Sequence, residues 1–127
     1  MLNAVTHGTA TDLPQVLIAH GLFGSAWNWG AIAKRLSSDR KVVAVDMRNH
    51  GESVWTDTHT YADMAKDLAG LLTEPTDVIG HSMGGKAAMV LALDWPEHVR
   101  RLVVADIAPV AYAHTQMPMI DAMRAVN

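Results

Sequence analysis

Apolar residues fall along this chain in two alternating patterns. Short, almost unbroken apolar runs occupy residues 15–19, 41–45, 76–79 and 101–106. Between them lie segments with helical spacing. Over residues 27–36, Trp29, Ile32, Ala33 and Leu36 share a face, with Ser25 as a candidate N-cap. Residues 61–72 gather Tyr61, Met64, Ala65, Leu68, Leu71 and Leu72 on one side. Asp63, Lys66 and Asp67 lie opposite, and Thr60 or His59 opens the helix. Residues 84–95 form an Ala-rich helix that Pro96 helps to stop. Runs without polar alternation are strands buried on both faces, which implies a parallel sheet covered by helices. Strand, helix, strand in succession implies right-handed crossovers. The predicted fold class is therefore α/β, a parallel sheet with helices on both faces. Residues 2–5 read as a short additional strand. After Ala108-Pro109 the pattern changes, and residues 110–127 are loosely helical around Pro118. The chain thus divides into a core portion, 1–109, and a new helical element begun by 110–127.

Composition adds bounds. A chain of 127 residues is one domain's worth, and half of it is apolar, so a core can form. The net charge of −3 argues against a nucleic-acid surface, which needs a basic patch. Cysteine is absent, which excludes disulfides, a thiolate nucleophile and a Cys-based metal site. A reducing cytoplasm is the expected compartment. No apolar window approaches the ~18 residues a membrane span requires. Residues 1–11 lack the basic start and apolar stretch of a secretory signal. The eight methionines read as adaptable core filling, with a soft apolar pocket as the alternative.

The chemistry concentrates where the strands end. Gly80-His81-Ser82-Met83-Gly84 matches G-x-S-x-G, between a predicted strand and a predicted helix. In that setting a sharp turn forces Ser82 into strained backbone angles and lifts its hydroxyl clear of the sheet. The small neighbours Gly80 and Gly84 make room. The helix N-terminus behind it favours a developing anion. The plain alternative is a Gly-rich turn with an incidental serine. Residues 20–25, His-Gly-Leu-Phe-Gly-Ser, follow the first strand and suit an oxyanion loop. Leu22 is the first choice of N–H donor there, paired with Met83 after the nucleophile. Phe23 is the second choice and a candidate substrate contact. A tight turn without chemistry is the competing reading.

Residues 46–53 follow the second strand and are dense in polar groups. Asp46 and Arg48 could pair and hold this loop, and His50 is read as bracing rather than catalytic. Asp106 ends the last apolar strand. It suits a carboxylate that orients a histidine, and equally a loop anchor. Of the seven histidines, none is placed convincingly as the base. No metal or cofactor site is indicated.

Taken together, residues 20–25, 46–53, 80–86 and 106–110 resemble the α/β-hydrolase superfamily. They are most similar to compact acyl esterases of the bacterial YbfF type and their mitochondrial abhydrolase-domain relatives. The resemblance runs from about residue 15 to residue 112. Arg48-Asn49-His50-Gly51 and Gly84-Gly85-Lys86 are more specific than the elbow alone. It implies Ser82 as nucleophile, Leu22 and Met83 N–H groups as oxyanion hole, and Asp106 as triad acid; other relatives carry the acid on a later strand. Such hydrolases are about twice this length. The chain therefore corresponds to an N-terminal half, with 110–127 as the start of a helical lid and the histidine in the other half. A half-sheet exposes an apolar edge, so a complementary C-terminal fragment or a second copy is the expected partner.

The implied reaction is cleavage of a small acyl ester or thioester through an acyl-enzyme on Ser82. A serine at this position, not an aspartate, argues against epoxide or haloalkane chemistry. The alternatives are a non-catalytic α/β module that binds a ligand or partner, and a C–C hydrolase or lyase on the same scaffold.

Overall fold

In a computed structural model, which describes residues 1–126, the apolar runs form one five-stranded sheet. The elements in chain order are β1 (Ala4–His7), β2 (Val16–Ala19), a 3₁₀ turn (Ala26–Trp29) leading into α1 (Gly30–Leu36), and β3 (Val42–Val45). There follow α2 (Tyr61–Ala69), β4 (Thr76–His81), α3 (Met83–Asp94), β5 (Val99–Ala105) and α4 (Met117–Ala125). The strand order is β1-β3-β2-β4-β5. The central and β5-side pairings are parallel: β2 with β3, β2 with β4, and β4 with β5.

The two faces of β2 show how the sheet is packed. Leu17 and Ala19 join Met64, Leu68, Val78, Ala87 and Leu91 beneath α2 and α3. Val16 and Ile18 point the other way, into Ala26, Ala33, Val42 and Ala44 beneath α1. Successive side chains on a strand alternate faces, so a run apolar at every position fills both layers. That is why the apolar runs of residues 15–19 and 41–45 have no polar alternation.

The structure departs from the expectations in several places. α2 stops at Ala69, three residues short of Leu72, and β5 has no fully buried residue, because it is the edge strand of the sheet. β1 lies two residues later than residues 2–5 and pairs with β3 antiparallel, with Ala4 opposite Val45 and His7 opposite Val42. The sheet is therefore mixed at this edge. The first helix opens as a 3₁₀ turn over Ala26–Trp29, and the free Ala26 N–H at its start donates to Asp46 Oδ1 at 2.7 Å. β4 runs two residues beyond Ile79, since Gly80 and His81 pair with Val104 and Ala105 of the longer β5. Asp46 and Arg48 do not pair. Asp46 accepts from the backbone N–H groups of Ala26 and Glu52 and from Asn3 Nδ2, while Arg48 makes a two-pronged bond to Asp67 on α2. α2 is capped by Thr60, whose hydroxyl accepts the Asp63 N–H.

Candidate active site

Parallel pairing brings the carboxyl ends of β2, β3, β4 and β5 to one end of the sheet, and His20, Asp46, Ser82 and Asp106 emerge there side by side. The turn at Ser82 is the sharpest feature. β4 ends at His81 and α3 begins at Met83, so one residue reverses the chain. Ser82 takes φ 50 and ψ −116, a region costly for a residue with a Cβ. The turn is held from the sheet side, since the Ser82 N–H donates to the Ala105 carbonyl at 3.0 Å. Gly80 and Gly84 leave no space for a side chain. A Cβ on Gly80 would meet Gly84 O at 2.6 Å, and one on Gly84 would overlap the carbonyls of Ala19 and His20. These glycines let α3 start directly against β2.

Ser82 lines an open cavity of about 350 Å³ with Leu22, Met83, Tyr61, Met64, Ile107 and Tyr112 among others. Two backbone N–H groups at this cavity are unspent. Leu22 lies outside the helices and strands, and among the described residues its N–H makes no hydrogen bond. Met83 is the first residue of α3, so its N–H has no intrahelical partner. Phe23 differs. Its φ is 64, its N–H is taken by His50 Nε2 at 3.2 Å, and it borders a separate depression with Trp29, His81 and Met119. Thus Leu22, Met83 and Ser82 share one cavity, and Phe23 borders the neighbouring depression, which Leu22 also lines.

Asp106 follows β5 at φ 59 with a side chain 90% exposed. Its one ionic neighbour among the described residues is His81, Nε2 to Oδ2 3.9 Å. No imidazole among the described residues is hydrogen-bonded to the Ser82 hydroxyl, although His59 and His114 border the same cavity. His20 is buried and committed. Its Nδ1 faces the Gly21 carbonyl at 2.7 Å and its Nε2 accepts the Met47 N–H at 2.9 Å. Burial lowers its pKa, so the ring is held neutral. Burial works against the charge of Asp46, but the Ala26 and Glu52 N–H groups and Asn3 outweigh it and hold its carboxyl below the usual range. Among the described residues no cluster of three or more His, Asp or Glu is arranged to hold a metal, and no helix is long and apolar enough to cross a membrane.

Lys86 is a site residue that residue-type reasoning passed over. One helical turn after Ser82, it lines the same cavity, donates to the Val110 carbonyl at 2.6 Å and lies 4.9 Å from the Tyr112 ring centre. The i, i+4 spacing from Ser82 was the available signal.

A strained serine between strand and helix, at the carboxyl edge of a mostly parallel sheet, defines the α/β-hydrolase class of site. The profile of the alpha/beta hydrolase fold family matches residues 14–126, and the chain belongs to that family. Two relatives are particular. Mouse sn-1-specific diacylglycerol lipase ABHD11 is 49% identical over 109 residues, 81% of this chain and 35% of its own. Escherichia coli esterase YbfF is 44% identical over 101 residues, 76% of this chain and 40% of its own. A solved marine microorganism esterase superposes with a TM-score of 0.89 at 36% identity, covering 99% of this chain and 51% of that one. The chain thus spans well under half the length of these two curated relatives.

Proposed function

We propose that this chain carries the nucleophile and oxyanion site of a serine hydrolase that cleaves small acyl esters or thioesters. The observation that carries the reading is Ser82 at positive φ, flanked by the unspent N–H groups of Leu22 and Met83. A passive turn has no use for such strain; an exposed nucleophile does. In the proposed reaction Ser82 Oγ attacks the substrate carbonyl as its proton passes to an imidazole. The tetrahedral oxyanion accepts hydrogen bonds from Leu22 and Met83. The imidazole returns the proton to the leaving alcohol or thiol, and water then hydrolyses the acyl-enzyme.

The imidazole is proposed to come from the part of the relatives' length that these 127 residues do not span, carried by a complementary C-terminal fragment. A second copy of the chain is the alternative partner and would have to offer one of its own histidines. The exposed Asp106 carboxylate is proposed to orient it. The 127-residue chain alone is then expected to be inactive. Residues 110–127, with α4, are proposed as the start of a lid over the cavity.

A fluorophosphonate probe tests the nucleophile. It is expected to label Ser82 in the full-length protein and to leave the Ser82→Ala variant unlabelled. Equal labelling of the variant overturns the assignment. That no imidazole among the described residues is hydrogen-bonded to Ser82 favours one competing reading, a non-catalytic ligand-binding module. Turnover of p-nitrophenyl acetate by the full-length protein, abolished by Ser82→Ala, excludes that reading.

A further inference from the structure

We propose that His50 is a positioning residue for the oxyanion site: its Nε2 holds the Phe23 N–H, and so leaves the neighbouring Leu22 N–H as a free donor in the Ser82 cavity. The inference rests on the reading of Ser82 as nucleophile and Leu22 as oxyanion donor.

The loops after β2 and β3 are tied by two imidazoles running in opposite directions. His20, on the first loop, accepts the Met47 N–H of the second at 2.9 Å. His50, on the second, accepts the Phe23 N–H of the first at 3.2 Å. The rings meet edge to face, 5.1 Å between centres. Each ring also presents Nδ1 to a carbonyl, His20 to Gly21 at 2.7 Å and His50 to Arg48 at 2.9 Å. A carbonyl only accepts and a backbone N–H only donates. Each ring therefore carries its proton on Nδ1 and offers a lone pair at Nε2.

Phe23 needs such a hold. At φ 64 it occupies a region that a phenylalanine seldom adopts. The turn is closed within the loop by Gly24 N–H on Gly21 O at 3.0 Å. Among the described residues, His50 is the one side chain from beyond residues 20–25 that hydrogen-bonds to residues 21–24. His50 is itself braced. Its N–H donates to Met47 O, and Arg48, whose carbonyl takes the Nδ1 proton, is clamped by Asp67 on α2. The bracing runs from α2 through Arg48 and His50 to Phe23, and ends one peptide from the Leu22 N–H. His50 does not border the Ser82 cavity, so it acts through that peptide and not on substrate.

The test measures kcat and KM for p-nitrophenyl acetate in the full-length protein carrying His50→Phe, His50→Gln or Ser82→Ala. Phenylalanine keeps a ring but offers no acceptor. Glutamine places an amide oxygen as many bonds from Cα as Nε2 and restores one. Loss of a whole oxyanion donor costs about 10²–10³ in kcat, so a donor left loose is expected to cost about tenfold or more. His50→Phe should show that loss with KM little changed, and His50→Gln should recover most of it. Where His50→Phe does not fold, His50→Asn replaces it, its amide oxygen falling one bond short of Phe23. An unchanged kcat without the acceptor, or equal losses with and without it, overturns the positioning role. Turnover that survives Ser82→Ala overturns the nucleophile reading, and this inference with it.

Discussion

Asp106 shows how a single residue is set up for a role without being consumed by it. Its backbone is held at the end of β5 in the left-handed region, while its carboxylate stays exposed and 3.9 Å from the nearest imidazole. Asparagine tolerates that backbone region as aspartate does, so Asp106→Asn changes the charge and leaves the turn. In the proposed mechanism the carboxylate fixes the tautomer of the base. Its loss is expected to lower kcat of the full-length protein on the order of 10⁴-fold with the melting temperature unchanged. A kinetic loss under tenfold, with a clear fall in melting temperature, would instead make Asp106 a loop anchor. Ser82 and Asp106 share the device of positive φ at a strand end. It turns each side chain out of the sheet, where burial would otherwise silence it.

At the scale of elements, α3 is the part on which the site depends. It packs on α2, β4 and β5, and its N-terminus carries the Ser82 turn. Its inner face is mostly small, with Ala87 and Ala88 buried beside Gly84 and Gly85, which lets the helix lie close to the sheet. Leu91 is the large, fully buried side chain that anchors the far end. Leu91→Ala removes that anchor and opens a void between α3 and the sheet. The expected cost is about 2–5 kcal/mol, measured by urea unfolding. The helix start is held separately by Gly80, Gly84 and the Ser82–Ala105 bond, so probe labelling of Ser82 should persist in the folded fraction. Labelling lost from well-folded protein would show that the elbow depends on the whole helix.

For the molecule as a whole, the polar ties at the carboxyl end of the sheet set its response to acid. His20 has its pKa lowered by burial, and His59 is lowered in the same direction by burial and by His50 and Arg48. A depressed native pKa means that the unfolded chain takes up the proton first. The stability from neutral His20 is full above the ordinary value of 6.5 and is lost as pH falls below it toward the depressed native value. Asp46, also lowered, adds stability above its ordinary value of 3.8 that is lost as pH falls further. Urea midpoints are expected to fall as pH drops from 8 to 5, and to fall again below 4. His20→Gln should flatten the first step. A midpoint that rises toward pH 5 would contradict the neutral, buried assignment of His20.

Much of this architecture was legible in the linear pattern, because it depends on neighbours close in the chain. Almost unbroken apolar runs marked four strands. Burial on both faces explains the pattern in β2 and β3, whereas β5 has no fully buried residue, with Val103 56% exposed. Thr60 or His59 marked the start of α2, since a cap bonds a few residues ahead, and the structure selects Thr60. Gly80-His81-Ser82-Met83-Gly84 marked the turn, since only small residues fit around it. The direction of β1 was not legible, because a short strand carries no sign of parallel or antiparallel pairing. Nor were the partners of Asp46 and Arg48. Each met its counterpart across the fold, Arg48 at Asp67 and Asp46 at Ala26 and Asn3. The same holds for His50, 27 positions from Phe23, and for His20, 27 from Met47. Which segments are strands and helices, and which serine sits in the turn, follows from residues close together in the chain. Which polar groups meet, and which N–H groups stay free, follows from the packing of distant loops. Those outcomes depend on distances between loops that parallel pairing brings together, and no local pattern encodes them.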